Sequence, residues 1–341
     1  MNSRLTMICA LLLPSLQSDP PRLIPKLPAF EGRSITLSPD QSAALARGDP
    51  VVQMLTPKDG RVIAAFGIVA IKTTRKAFVT ALTNFPQSLR APGIQNFGLF
   101  KTPATVANIA PFTITSSDAS ALRKCHTGKC EFKLSASEMV HAKAILDSGA
   151  DGPAKLAAYV RRRGTDYVND YRTRGNAAMV IYDDFGSGGV RASDAFAALL
   201  SASTILTQNA PALQQYLQQF PRSRPADATE AIYWSVESMK DLRPTLTINQ
   251  VVVSSPPGTS GMTVAVTKQI YADHYFEGML DERIIVDRRD PQRGDGIYLI
   301  LLRQYRFDNL PGGVLNIRGR AKSAMHDRID AELRRAQGSA K

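Results

Sequence analysis

The sequence has only three cysteines and one tryptophan, and aromatic residues make up 7% of its 341 positions. A chain of this length buries enough surface to fold without a metal or a disulfide scaffold, as one large domain or two ordinary ones. Because aromatic residues are scarce and do not alternate with basic ones, a surface that stacks nucleic-acid bases is not expected.

Linear catalytic motifs are also missing. There is no Gly-x-Ser-x-Gly elbow, no Gly-x-x-x-x-Gly-Lys phosphate loop and no His-Glu-x-x-His zinc motif. Residues 69–72 and 184–186 match two short protein-kinase signatures. However, residues 50–56 contain no glycine, so the glycine-rich loop of a kinase is missing, and residues 74–85 contain no glutamate to pair with Lys72. The sequence therefore offers no positive evidence for an enzyme.

The long apolar run lies at the start of the sequence. Arg4 precedes an apolar stretch from Leu5 to Leu16, and polar residues follow it. This order is typical of a secretory signal peptide, which we predict over residues 1–18. The stretch is too short to span a bilayer, which takes about 20 apolar residues. We therefore expect a secreted or periplasmic protein, with a buried N-terminal helix as the alternative.

Export changes what the cysteines can do. Loss of the signal peptide removes Cys9 and leaves Cys125 and Cys130, five positions apart. In an oxidising compartment such a pair forms a disulfide readily. A zinc site that adds His126 and His141 is the alternative, but no standard ligand spacing matches it. The sequence predicts no metal and no other cofactor.

The first third of the chain favours strands and short helices. Residues 19–50 contain six prolines and predict an extended lead-in with a short helix near 39–47. Strands are predicted at 51–55 and 61–72, joined by an Asp-Gly turn. A helix capped by Thr73 and Thr74 follows and ends near Phe85.

The remaining two thirds divide into a helical block and a β region. The block spans residues 116–240 and contains four segments with apolar residues three and four positions apart. The β region predicts an antiparallel meander with strands at 245–253, 262–276, 283–286 and 297–307. A last helix at 314–336 carries one apolar stripe.

This order of elements resembles the helix-grip fold of START-like lipid-binding and polyketide-cyclase-like proteins. The resemblance rests on the strand 61–72 that leads into the helix 74–85, and on the meander 245–307 followed by the helix 314–336. It implies an α+β domain over residues 51–341, in which a curved antiparallel sheet grips a long C-terminal helix. The helical block 116–240 is then a large insertion.

The resemblance also implies a ligand. A lipid or other apolar small molecule would occupy a cavity between the sheet and the C-terminal helix. Alternation along the strands places Lys268 with His274 and Arg303 with Tyr305, and we predict that these four residues contact a polar head group. The alternatives are a hydrogen-bonded core histidine at 274, and a lysine and an arginine that reach solvent at the strand ends.

Positive charge is the compositional feature that stands out. Lysine and arginine number 42 against 30 aspartate and glutamate residues, a net charge of +12. Basic residues concentrate at 161–174 and 318–335, and such patches attract either nucleic acid or an anionic membrane surface. The predicted export and the lack of alternating basic and aromatic residues favour the membrane surface as partner. Solvated helix faces without a partner are the alternative.

The sequence thus predicts an exported binding protein for a lipid or other apolar ligand. Two other hypotheses stay open. One is a cavity enzyme of the cyclase or hydrolase type that uses His274 with a neighbouring acid. The other is a protein-interaction module that uses the helical block.

Overall fold

The structure, a computed structural model, describes residues 25–90, 92–238, 242–257, 261–291, 294–310 and 316–338. The signal peptide predicted over residues 1–18 lies outside this range. Within it, the chain has an α+β fold with a large eight-stranded antiparallel sheet and a long C-terminal helix.

The N-terminal part of the chain follows the predicted order. The elements are β1 (Ala29–Phe30), β2 (Arg33–Ser34), α1 (Pro39–Arg47), β3 (Val51–Met54), β4 (Val62–Ile71), α2 (Arg75–Thr83), α3 (Phe85–Ser88) and β5 (Ile94–Leu99). Helix α2 begins where the sequence predicts, because the Thr74 side chain accepts a hydrogen bond from the Ala77 amide. Helix α1 starts in a capping box at Ser38.

The helical block contains six helices and one small hairpin. They are α4 (Ser116–Arg123), α5 (Ala136–Leu146), α6 (Gly152–Arg174), β6 (Ile181–Tyr182), β7 (Val190–Arg191), α7 (Ala192–Ala202), α8 (Ile205–Asn209) and α9 (Pro211–Gln219). The four predicted helical segments correspond to α5, α6, α7 with α8, and α9. Their three- and four-residue apolar spacing was therefore a reliable guide.

The end of the predicted block is a strand. Residues Thr229–Glu237 form β8, which pairs with β5 on one side and with the next strand on the other. Ile232, Trp234 and Val236 alternate with polar or small neighbours and face one side of the sheet. This period of two is a strand signal, so the helical part of the block ends before residue 229.

The rest of the sheet is a meander. Its strands are β9 (Thr245–Ser254), β10 (Met262–Ala272), β11 (Phe276–Arg288) and β12 (Gly296–Phe307), followed by α10 (Ile317–Gly338). The strand order is β3-β4-β12-β11-β10-β9-β8-β5, with every pair antiparallel. Strand β12 returns to pair with β4, so the first and last long strands are neighbours.

The junction of β10 and β11 differs from the prediction. The predicted strand 262–276 ends at Ala272, and a tight turn at Asp273–Tyr275 leads into β11, which is much longer than predicted. Tyr275 has a φ of 59°, in the left-handed region. The pairing of β10 with β9 also shifts at Ile270, which forms a bulge. A bulge adds one residue, so the alternation does not continue through the strand.

Helices cover both faces of the sheet. Val264, Val266 and Ile270 belong to a core shared with α6–α9, whereas the opposite face packs against α10. Gly67 of β4 lies directly under α10: a Cβ atom there would lie 2.9 Å from Cγ2 of Ile329. Sheet and helix are therefore in direct van der Waals contact at this point.

Four charged side chains join α10 to the sheet; we call them the ion quartet. Nε of Arg303 lies 2.7 Å from Oδ2 of Asp281, and Nη2 of Arg303 lies 2.9 Å from Glu332 of α10. Arg283 completes the quartet, 3.0 Å from Asp281 and 2.8 Å from Glu332. Burial would raise the pKa of Asp281, but the two arginines outweigh it and hold that pKa below its ordinary value.

Asp281→Asn is expected to destabilise the protein by about 3 kcal/mol, because the two arginines of the quartet then share the single negative charge of Glu332 and one positive charge is left uncompensated at a buried site. The matched control is Asp330→Asn. It breaks the exposed ion pair between Asp330 and Arg334, both in α10, and should lower the free energy of unfolding by less than about 0.5 kcal/mol. Urea unfolding at pH 7 measures both. Equal losses would show that the quartet does not secure α10.

Glu282 is a buried acid on the other face, level with Val266 of β10. No hydrogen bond of normal geometry reaches its carboxylate oxygens from the described residues, although the Ser203 hydroxyl lies near enough to lower the pKa against the effect of burial. Burial raises the pKa of Glu282 to about 8. The folded state therefore binds this proton more tightly than the unfolded state, and stability is lost as the pH rises from about 4.3 towards 8.

Glu282→Gln should remove this loss. The free energy of unfolding of the variant, relative to wild type, is expected to rise by at least about 2 kcal/mol between pH 5 and pH 8.5. Urea unfolding of both proteins at pH 5 and pH 8.5 measures these free energies. The contributions of the other titrating groups cancel when the wild-type value is subtracted from the variant value at each pH. Parallel pH profiles for the two proteins would contradict the assignment.

Candidate functional site

A cavity of about 470 Å³ lies on the face of the sheet opposite α10. It is bounded by the β8–β10 side of the sheet and by α4, α5 and α6. Its walls are mainly apolar, with Phe112, Ile114, Phe132, Leu156, Val160 and Leu246 among the lining residues. This volume and composition are those of a small-molecule binding site.

The helical wall of the cavity has a core of its own. Leu122 of α4, Met139 and Leu146 of α5, and Leu156 of α6 are buried against one another. Two of these helices begin at side-chain caps: the Thr115 hydroxyl accepts a hydrogen bond from the Asp118 amide at the start of α4, and the Ser135 hydroxyl accepts one from the Glu138 amide at the start of α5. The wall is thus an ordered layer that holds its lining side chains in place.

The loop from α4 to α5 closes one end of the cavity. The sulfur atoms of Cys125 and Cys130 lie at bonding distance, 2.03 Å, as the sequence predicted. Gly128 between them has a φ of 82°, and a Cβ atom there would lie 2.6 Å from the carbonyl oxygen of Gly186. The loop is therefore pressed against the connection between β6 and β7, at a position that only glycine fits.

The zinc alternative has no geometric support in the described residues. His126 and His141 are exposed, and each binds a nearby backbone carbonyl through Nδ1. Among the parts of the chain that the structure describes, no group of three or more His, Cys, Asp or Glu side chains is placed to hold a metal ion.

Replacing both Cys125 and Cys130 by serine is expected to lower the free energy of unfolding by about 2 kcal/mol. This is the chain-entropy value for a loop of this size. Chemical unfolding of the wild type with and without dithiothreitol is the control, since the reductant should reproduce the loss in the wild type and leave the double variant unchanged. Equal stability of the oxidised wild type and the variant would contradict the prediction.

The turn at Asp273–Tyr275 supplies a polar corner of the cavity. Nδ1 of His274 lies 2.7 Å from the carbonyl oxygen of Glu131, and because a carbonyl only accepts, Nδ1 carries the proton. The ring packs on Phe132, with centroids 4.3 Å apart. Burial lowers the pKa of His274, so the imidazole is neutral at pH 7. Nε2 then has a lone pair and no hydrogen-bond partner among the described residues.

Asp273 lies beside His274 in the same corner. One of its carboxylate oxygens accepts a hydrogen bond of 2.8 Å from the Leu246 amide, and the other has no partner among the described residues. Burial raises the pKa of Asp273 well above its ordinary value. Tyr271, two residues earlier, also lines the cavity, and burial raises the pKa of its hydroxyl in the same way.

Charged groups at the edge of the cavity are already paired. Arg243 lies 2.9 Å from Glu131 and 3.5 Å from Asp118. Glu138 accepts a hydrogen bond of 2.8 Å from the Tyr159 hydroxyl, and burial together with this contact raises the pKa of Tyr159 to about 12. Both guanidinium and carboxylate groups at this edge therefore have protein partners.

Of the four residues predicted to contact a ligand head group, His274 lines this cavity. Lys268 points to the same face of the sheet but lies away from the cavity lining. Its Nζ donates to the Tyr171 hydroxyl at 2.9 Å and to Oδ1 of Asn176, and it lies 4.0 Å from the ring centroid of Phe196. Burial lowers the pKa of Lys268 well below its ordinary value.

Arg303 and Tyr305 lie on the opposite face of the sheet. Arg303 belongs to the ion quartet, and Tyr305 packs on Phe276 with ring centroids 4.9 Å apart. In the observed register Arg303 is level with Asp281, which is in turn level with Thr267 and not with Lys268. The four predicted residues therefore do not form one site, because pairing between strands decides which faces coincide.

Sequence reasoning missed several cavity residues. Alternation along an unbroken strand 262–276 puts Tyr271 and Asp273 on the face opposite His274, whereas the bulge at Ile270 and the turn after Ala272 bring them into the cavity. An Asp-His pair inside an otherwise apolar strand was the available signal for a turn. Arg243 and Asp118 carry no local signal, because their contact joins distant parts of the chain.

The basic clusters make many contacts within the chain. Arg172 donates to the carbonyl oxygens of Phe100 and Lys101, and Arg328 lies 2.7 Å from Glu237. Most of the other basic residues at 161–174 and 318–335 also have protein partners. In the described part of the chain, no helix combines the length and apolarity needed to cross a membrane.

Comparison with known proteins gives no assignment. A scan against protein-family models, a search of curated proteins and a search of solved structures each find no match to this chain.

Proposed function

We propose that this protein is an exported binding protein that holds a small, mainly apolar molecule in the cavity beside α4–α6. The observation that carries the proposal is the cavity itself: about 470 Å³, apolar walls and a polar corner at Asp273 and His274. Binding sites for small organic molecules combine these properties, with a few polar groups that orient the ligand.

We further propose that the fold is an elaborated helix-grip of the START-like type. Three features support it. Helices α2 and α3 follow the first long strand, five successive antiparallel strands β8–β12 form most of the sheet, and α10 packs on β4. The helical block enters between β5 and β8, which are paired neighbours.

The proposed ligand position differs from the one that the resemblance implied. Between the sheet and α10, the Gly67–Ile329 contact and the ion quartet occupy space that a ligand would need. On the other face the cavity is lined by α4–α6 and by no residue of α10. We therefore place the ligand under the helical block.

Export is supported by the pattern of residues 1–18 and by the Cys125–Cys130 pair, since disulfides persist in oxidising compartments. We also propose a transient contact with an anionic membrane surface, on the basis of the +12 net charge. Because most arginines of the basic clusters bind groups of the chain itself, this contact is expected to be weak and sensitive to salt.

Val160→Trp tests the site. Val160 of α6 lines the cavity, so an indole at this position would fill it. With the neutral fluorescent probe N-phenyl-1-naphthylamine, wild type is expected to bind at one saturable site, and the variant to bind about tenfold more weakly or not at all.

Val140→Trp is the matched control for that experiment. Val140 of α5 is 69% exposed and does not line the cavity, so the same substitution there should leave probe binding unchanged. Circular dichroism checks that both variants are folded. Equal probe binding by wild type and a folded Val160→Trp variant would overturn the proposed site.

Acid–base catalysis is a second candidate, favoured by the free Nε2 of a neutral His274 inside a cavity. A neutral imidazole of this kind is a suitable general base. Native mass spectrometry of the purified protein identifies a bound molecule, and incubation with that molecule then separates the candidates. Conversion by wild type, with binding but no conversion by His274→Ala, would favour the enzyme.

A further inference from the structure

Two polar atoms of the turn Asp273–Tyr275 that line the cavity and have no partner among the described residues can accept hydrogen bonds. Nε2 of His274 has a lone pair because Nδ1 donates to Glu131, and one oxygen of Asp273 is free because the other binds Leu246. Both residues belong to the same turn and line the same cavity. A ligand that satisfies them must bring donors.

The charges that line the cavity also favour a positive group. Among the described lining residues, Arg243 is engaged by Asp118 and Glu131 and is not free for an anionic ligand. Of the lining acids, Asp118 is paired with Arg243 and Glu138 with Arg163. Asp273 is the lining acid without a charged partner among the described residues, and its charge is negative when it is ionised.

Building on the function proposed above, we propose that the ligand is an apolar molecule with a protonated amine, whose N–H groups donate to Asp273 and His274. A carboxylate or phosphate head group would instead bring acceptors to Nε2 of His274 and a negative charge to an ionised Asp273. An alcohol could donate one hydrogen bond, but without the charge that strengthens a bond to a carboxylate.

The geometry suits this role. Asp273 and His274 are held by hydrogen bonds to the backbone at Leu246 and Glu131, so both side chains are in position before the ligand arrives. Apolar side chains, among them Phe112, Ile114 and Leu156, surround the rest of the cavity and would contact the body of the ligand. An approaching ammonium group favours the ionised form of Asp273, and charge-assisted hydrogen bonds are about twice as strong as neutral ones.

Three probes with one alkyl chain test the proposal: octylamine, octan-1-ol and octanoate, each used at pH 7.5 to displace N-phenyl-1-naphthylamine from the wild-type protein. Octylamine is expected to bind at least about tenfold more tightly than octan-1-ol, and octanoate more weakly than both. Octan-1-ol or octanoate binding as tightly as octylamine would overturn the amine proposal while leaving the cavity function intact. Failure of the naphthylamine probe itself to bind would overturn the proposed function.

Asp273→Asn locates the effect. The amide oxygen of asparagine can still accept the Leu246 hydrogen bond, so the turn is retained while the charge is lost. Octylamine affinity should fall about tenfold and octan-1-ol affinity should not change. The control is Asp170→Asn, the same change of charge in the exposed pair with Arg174, which should alter neither affinity. An unchanged preference for octylamine in a folded Asp273→Asn variant would contradict the role of Asp273, and if that variant does not fold, the wild-type comparison alone decides.

Discussion

The tight turn between β10 and β11 is the constraint on which the candidate site depends. The Asp273 amide donates to the carbonyl oxygen of Leu246 at 3.0 Å, and the Asp273 carbonyl oxygen accepts from the Lys133 amide at 2.8 Å. The Tyr275 carbonyl oxygen accepts from Asp308, just after β12, at 2.9 Å. These backbone bonds join the start of β9, the loop that follows the disulfide and the end of β12 at one point. The polar corner of the cavity is fixed because its backbone is fixed.

The two faces of the sheet differ in how closely helices pack against them. On the α10 face, buried charges are matched by opposite charges, as in the ion quartet, and the result is a closed and neutral contact. On the other face, α7 packs closely on β10–β12, while α4–α6 leave space beside β8–β10. The cavity proposed as the ligand site is therefore separate from the contacts that hold the C-terminal helix.

Local patterns predicted most helices and strands, because the spacing of apolar residues reports which side of an element is buried. Strand β8 was missed only because it follows a long helical block. The candidate site was less accessible to sequence reasoning. His274 could be singled out as a polar residue in an apolar segment, but its partners at Glu131 and Phe132 are distant in sequence. The separation of Lys268 from Arg303 depends on strand register and on a bulge, which no local pattern encodes.

The insertion of the helical block between paired strands has an evolutionary consequence. Because β5 and β8 are hydrogen-bonded neighbours, residues 100–228 leave the sheet and re-enter it at adjacent positions. This segment could drift, or be exchanged by grafting, without altering the hydrogen-bond ladder of the scaffold. The apolar walls of the cavity could then change to fit ligands of other shapes. Asp273 and His274 belong to the scaffold, so the proposed preference for a protonated amine would be retained.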